Sequence, residues 1–306
     1  MRGWAVIGCL ALLSACSDGK VKPPEPTGLS LEMATEGAAG FEDYIHSLDI
    51  YAFRKLADGS FVYYQTLAQL DADGIRALAD GSGEGDTKVF GIDLPVGTYE
   101  ICLAGNAAGK MSGELLVGTT TPADVTIAGN EDGQDSVCFL GKTRVAIVTD
   151  QRPPLRVVMN RAVSKLVMVL YGVPVQMDSV GLTLGNLASA VNLDGGLSGS
   201  GKTVRETYTV RKSATQQKDT IVGGIITLPS LAGGSPLQLT FYAENGQRKV
   251  KEMPVQTLLP DKYIRLAGVI DDKPGGLLSF EVKLKLFLVD YWLETTLPDF
   301  ILTPEI

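Results

Sequence analysis

The chain has 306 residues, of which 45% are hydrophobic, and sets 27 Lys and Arg against 35 Asp and Glu for a net charge of −8. That acidic balance speaks against nucleic acid as a partner, because phosphates demand a clustered basic face. The length suggests about two domains at roughly 100–200 residues each, and the apolar fraction is enough to give each a core.

The N-terminus reads MRGWAVIGCLALLSAC: one Arg, an apolar run from Trp4 to Leu13, then Ser14 and Ala15 leading into Cys16. This is the pattern of a secretory signal peptide. The run is about half of the ~20 residues that a membrane-spanning helix needs, so removal of residues 1–15 is expected. Losing Arg2 takes the net charge from −8 to −9. The ending Leu13-Ser14-Ala15-Cys16 resembles the lipobox of bacterial lipoproteins, in which the cysteine thiol is alkylated by diacylglycerol and becomes the acylated N-terminus. The alternative is an ordinary cleavage site that ends in Cys. Burial contributes about 0.8 kcal/mol per CH₂, so one chain binds marginally while two or three hold firmly.

Residues 16–28 comprise the lipidated Cys16 and SDGKVKPPEPTG, a segment with three prolines and no apolar periodicity that reads as a tether. From Leu29 the dominant period is two. LSLEM and SLDIYAF alternate, the latter setting Leu48, Ile50 and Ala52 against Asp49, Tyr51 and Phe53, as strands with one buried face do. KLADGSFVYY and KVFGIDLPVGTYEICLAG follow, with turns at Asp58-Gly59 and Pro95-Val96-Gly97. Residues 69–80 alone have a helical look, and they run into the glycine-rich GSGEGD. More strands are expected at 113–117, 123–128, 136–140 and 143–149, then LRVVMNR beyond Pro153-Pro154. A second series begins at Ala162 and ends in SFEVKLKLFLVDYW, where Phe280, Val282, Leu284, Leu286 and Leu288 oppose Glu281, Lys283 and Lys285. Within it Asn245-Gly246 is a hairpin signal. Many short strands without long helices predict an all-β chain of two tandem β-sandwiches, over 29–160 and over 161–306 with a terminal tail.

Of four cysteines, Cys9 leaves with the signal peptide and Cys16 carries lipid, which leaves Cys102 and Cys138 in an oxidising compartment. The inferred apolar faces are Tyr99, Ile101 and Leu103 in one strand and Val137 and Phe139 in the other. Both cysteines are therefore expected to point away from the core, and a disulfide between them stays open.

Gly196-Leu-Ser-Gly-Ser-Gly201-Lys202-Thr203 matches the phosphate-loop pattern, and Leu286 to Val289 followed by Asp290 mimics its partner motif. A phosphate loop opens a helix, whereas TVRETYTV alternates as a strand, so a glycine hairpin is expected and no nucleotide. His46 is the only histidine, which rules out a multi-histidine zinc site, and its spacing from Leu48 and Ile50 suggests a structural role near a strand start. The acidic loops Asp80–Asp86 and Asn130–Asp135 lack the final Glu and flanking helices of a calcium hand and read as solvated turns. Phe61, Tyr63 and Tyr64, or Tyr291 and Trp292, could stack on sugar rings, although strand aromatics more often pack in the core. No catalytic carboxylate pair stands out, and no metal or cofactor is expected.

In combination these features resemble the FimB-type fimbrial anchor subunits of the Bacteroidia type V pili. The resemblance rests on the lipobox at Cys16 and the Pro-rich leader, on IDLPVGTYEICLAGN at 92–106, and on Asn160-Arg161 entering AVSKLVMVLYG. It continues through PLQLTFYAENG at 236–246 to the terminal strand closing on Trp292. It implies two transthyretin-like sandwiches, palmitate-type lipidation in the outer membrane, exposure at the cell surface, and a fimbrial shaft pilin as partner. Such pili assemble by strand exchange, a form of β-augmentation. An anchor donates a strand without needing to receive one. The tail Leu293–Ile306, with Leu293, Leu297, Phe300 and Leu302, is therefore expected either to touch the adjoining pilin or to pack on its own domain. Hydrolases of the transthyretin-like fold depend on several histidines, so no enzyme is expected. The alternative from another class is a surface glycan-binding lipoprotein using exposed aromatics.

Overall fold

The computed structural model describes residues 27–33, 43–80, 88–131, 133–148, 155–174, 176–210, 218–273 and 279–289. Cys16, Pro153-Pro154, most of the glycine-rich 80–86 loop and the tail from Asp290 lie outside them. The described chain is all-β, as its period-two patterning predicts. Its one α-helix, α1 (Ala72–Asp80), sits in the expected stretch and is entered through Asp71, whose carboxylate accepts the Gly74 N–H at 2.9 Å.

The first half builds one seven-stranded sheet. Its strands are β1 (Thr27–Met33), β2 (Leu48–Lys55), β3 (Phe61–Leu70), β4 (Lys88–Ile92), β5 (Gly97–Gly105), β8 (Phe139–Ile147) and β9 (Leu155–Arg161), in the order β3-β2-β5-β8-β9-β1-β4. Strand β1 pairs antiparallel with β4 and parallel with β9. The β3 edge curls toward the β4 end: Gln65 on β3 donates its amide to the carbonyl of Asp93, one residue past β4, at 3.4 Å. One face of this sheet buries Leu48, Ile50, Tyr99, Ile101, Leu103, Phe139 and Val157. Apart from Val157, these are the alternate positions that the sequence pattern marks as core.

The second half is a two-sheet sandwich. Its strands are β10 (Ser164–Pro174), β11 (Met177–Leu187), β14 (Lys202–Thr209), β15 (Lys218–Thr227), β16 (Ser235–Ala243), β17 (Arg248–Gln256), β18 (Tyr263–Asp272) and β19 (Phe280–Val289). One sheet runs β15-β10-β18-β19, the other β14-β11-β16-β17. Leu166, Met168, Leu182, Leu184, Leu239, Phe241 and Leu266 fill the space between, each apolar side chain contributing about 1.5–3 kcal/mol on burial. The Asn245-Gly246 hairpin forms between β16 and β17, with Gly246 at φ +81°, a conformation that favours glycine. The sandwich is closed at β14 and β15, where the Tyr208 hydroxyl donates to the carbonyl of Gly224 at 2.8 Å. It is open at β17 and β19, each of which pairs on one side only among the described residues.

A third core joins the halves and corrects the expectation of strands with one buried face. A small sheet combines β6 (Met111–Ser112) and β7 (Thr126–Ala128) from before residue 160 with β12 (Ala190–Asn192) and β13 (Leu197–Ser198) from after it. It lies over the second face of the seven-stranded sheet, burying Tyr51, Phe53, Cys102, Ala104 and Cys138 against Ile127, Val163, Val191, Leu193 and Leu228. The central strands β2 and β5 are thus buried on both faces, the first-half core on one side and the junction on the other.

Candidate functional site

The cysteines lie inside this junction rather than pointing away from the core. Cys102 is fully buried and Cys138 nearly so, and both are free thiols. Register explains why they do not pair. Cys102 stands opposite Lys142, and the β5–β8 ladder ends at Gly105 opposite Phe139, one residue beyond Cys138. Four residues of strand, about 3.4 Å each, therefore separate the two along the sheet, against the ~7 Å limit between disulfide-linked Cα atoms. Burial pushes the Cys138 thiol up to about 11 and that of Cys102 higher still.

The glycine loop that mimics a phosphate site has a different use. Strand β14 begins at Lys202, so no helix N-terminus faces the loop. The Lys202 ammonium lies 2.5 Å from Asp135 Oδ2, with the two side chains only 6% and 3% exposed. It also donates to the carbonyl of Asn130 at 3.0 Å. Asp135 accepts the main-chain N–H of Leu228 at 2.7 Å on Oδ2 and that of Asn130 at 2.6 Å on Oδ1. This node ties the 129–135 loop of the first half to β14 and the end of β15 in the second, and it engages both carboxylate oxygens of Asp135. Among the described residues no cluster of His, Cys, Asp or Glu is placed to hold a metal. Nothing in the spacing of Asp135 and Lys202 signals their pairing, because it crosses 67 residues.

His46 falls in the turn before β2 and is exposed, where its spacing from Leu48 suggested the buried face. Asn106, at φ +57°, fixes that turn: its Oδ1 accepts the His46 N–H at 2.8 Å, and its amide donates to the carbonyls of Tyr44 and Val137 at 2.8 and 3.2 Å. The result is an open hollow of about 460 Å³ lined by Asp43, His46, Ser47, Asn106 and Ser136. Among the described residues no hydrogen bond joins the imidazole to either serine.

The aromatic cluster of β3 forms no sugar-stacking platform. Tyr64 packs edge-on against Tyr99 at 5.7 Å, while Tyr63 packs against Phe53 at 6.0 Å. They serve opposite faces of the sheet, and Arg144 covers Phe61 at 4.7 Å from its ring centroid. Tyr291 and Trp292 lie outside the described residues.

The second sandwich has an open side at β17 and β19. Val282, Leu284 and Leu286 face the core from β19 yet are only half-buried, as is Met253 on β17, whereas Leu266 on the adjoining β18 is fully buried. Outward from β19 project Lys283 and Lys285. An edge that is apolar within and charged without is guarded against indiscriminate pairing yet open to a specific strand. At the other end of the protein β1 already has partners on both sides. Leu293, Leu297, Phe300 and Leu302 lie outside the described residues, as does Cys16.

No curated protein matches the sequence. Among solved structures, the fimbrial anchor protein Mfa2 from Porphyromonas gingivalis is 12% identical, with 87% of this chain and 100% of that one covered at a TM-score of 0.54. A candidate adhesin from Bacteroides ovatus is 15% identical, covering 86% and 94% at 0.57. A candidate polysaccharide-binding protein from Bacteroides thetaiotaomicron is 11% identical, covering 86% and 98% at 0.57. At such identities the likeness is one of fold. A family model of the fimbrillin-A associated anchor proteins matches residues 16–283. The chain accordingly belongs to the family of fimbrillin-A associated anchor proteins Mfa1 and Mfa2.

Proposed function

We propose that this chain is a non-enzymatic, lipid-anchored subunit at the base of a cell-surface fimbria. Acylated Cys16 holds it in the outer membrane, and β-strand contacts attach the adjoining shaft pilin. The observation that carries this reading is the asymmetry of its two ends. Strand β1 starts only eleven residues after Cys16 and is paired on both sides. Its lipid-proximal end is thereby held within its own sheet, leaving no vacancy for an incoming strand at that position. An extended tether of about 3.1 Å per residue sets the folded part a few tens of Å from the lipid. At the far end β19 is an edge strand with half-buried apolar residues, and the chain continues past it for seventeen residues. Leu293, Leu297, Phe300 and Leu302 are the proposed contacts to the pilin, reached by adding a strand to a free edge.

Replacement Cys16→Ala tests the anchor. The expected outcome is a folded protein that leaves the membrane fraction and takes fimbriae into the medium. Firmly attached fimbriae in cells carrying only the soluble variant would overturn the anchoring role. Deletion of residues 293–306 is expected to lower co-purification of pilins from intact outer membranes while Cys16 remains lipidated. Unchanged recovery would remove the tail from the contact.

A further inference from the structure

We propose that one end of the seven-stranded sheet is a lipid-contact surface, on which the folded part rests against the membrane through Leu56, Val96 and Val148. This rests on the anchoring role of Cys16 and extends it, since that residue brings the lipid within reach.

Strand order gathers the three side chains. Leu56 directly follows β2, Val96 directly precedes β5 and Val148 directly follows β8. These strands are neighbours in the sheet, and Arg54 opposite Tyr99 and Gly97 opposite Ile147 put the three positions at the same end. Leu56 is 42% exposed, Val96 55% and Val148 48%, whereas Leu94 and Ile147 close by in the chain are buried in the first-half core. Single exposed apolar residues are ordinary, but three on adjacent strand ends mark a contact surface. Arg54 and Lys55 are exposed at the end of β2, where their long stems let the charged tips reach headgroups. Against them stand two acids, Asp93 and Asp58, the latter accepting the Ser60 N–H and hydroxyl at 2.9 and 2.6 Å. Cations and acids balance, so the contact is apolar rather than electrostatic.

The same end receives the chain from Cys16. Strand β1 begins at Thr27, opposite Ile92 on β4, and Ile92 lies four residues before Val96. It runs parallel to β9, with Leu29 opposite Leu155, where β9 starts. Because β8 and β9 are antiparallel, β1 enters at the end where β8 leaves. Thr27 follows Cys16 by eleven residues, which cap its distance from the lipidated position at about 40 Å and set no lower limit. The apolar end is thereby held near lipid at high local concentration, so three side chains too few to bind a free protein suffice for a tethered one. The turn at Ala108, beyond the opposite end of β5, faces away from the point of entry.

The test couples the mature chain, residues 16–306, through Cys16 to a maleimide lipid in phosphatidylcholine vesicles, so that contact is read whether or not the cell acylates this residue. Cys102 and Cys138 are buried and do not compete. With Trp292→Phe the mature chain has no native tryptophan, and Val96→Trp or Ala108→Trp then reports on one end of the sheet. Ala108 is exposed, about 30 Å from Val96 at ~3.4 Å per residue along β5. Lipids brominated in their acyl chains are expected to quench Val96→Trp at least twofold and to leave Ala108→Trp nearly unquenched, with little change between low and high salt. Leu56→Asp with Val148→Asp, both at exposed positions, should restore the emission of Val96→Trp while circular dichroism stays unchanged. No quenching at position 96, or equal quenching at 96 and 108, would overturn the lipid contact. Unacylated Cys16 in protein recovered from cell membranes, read by mass, would instead refute the anchoring role, a failure distinct from the first.

Discussion

Replacing Lys202 by Met removes the cationic half of the buried node that joins the two halves while keeping most of the aliphatic stem. Asp135 would retain the N–H groups of Asn130 and Leu228 but lose the ammonium 2.5 Å away. With both side chains almost completely buried, the uncompensated carboxylate is expected to cost about 3–5 kcal/mol. Asp135→Ala should cost more, because it strands the ammonium and also leaves the two main-chain N–H groups without their acceptor, at about 1–3 kcal/mol for each unsatisfied group. The double variant Lys202→Met with Asp135→Ala has no unpaired charge, so its loss should fall short of the sum of the single losses by about 0.5–3 kcal/mol. Urea unfolding of the four proteins measures the cycle. Hydrogen exchange should report the loosening first at Ala128, Gly129 and Leu228, around the junction. Because the pair is shielded from solvent, raising the salt concentration should leave the coupling nearly unchanged. Additive losses, or a Lys202→Met protein as stable as the parent, would refute the assignment of this pair as the tie between the halves.

The buried thiols give a pH signature. Their folded-state ionisation is raised, so the unfolded chain releases these protons first and stability falls as pH rises above the ordinary thiol value. Between pH 8.5 and 10 the loss should approach about 2 kcal/mol per thiol, and Cys102→Ala with Cys138→Ala should flatten that part of the curve. Native protein should also resist a thiol reagent at pH 8 and react at both cysteines once unfolded. On β15, a Cβ added at Gly223 would approach the Tyr208 ring to 2.6 Å. Gly223→Val should therefore displace Tyr208 from the closed side of the sandwich at a cost of about 1–3 kcal/mol, measured by thermal unfolding. Replacing Gly109, where nothing lies within 4 Å of an added Cβ, gives a control for the backbone strain of a positive φ without overpacking.

Period-two alternation made the class of this protein legible. The hairpin at Asn245-Gly246, the turn at Asp58-Gly59 and the inward row of β19 from Phe280 to Leu286 all stand where local pattern puts them. Pattern failed where a strand is covered twice. Tyr51, Phe53 and Cys102 occupy the face that alternation assigns to solvent, and only a neighbouring sheet drawn from both halves buries them. Alternation reports which residues share a face. It does not report what lies across from each face.

The candidate assembly surface divides along the same line. The order of residues around Cys16, the acidic and apolar composition of the tail, and the single histidine are properties of the sequence by itself, because each is a matter of local order or composition. The Asp135–Lys202 node and the three-way hold of Asn106 were decided by tertiary structure alone. Each joins residues dozens of positions apart, and such contacts follow from sheet register rather than from any repeat in the chain. Register also settled Cys102 and Cys138, which share a core and a sheet face and yet stand four residues apart along the ladder.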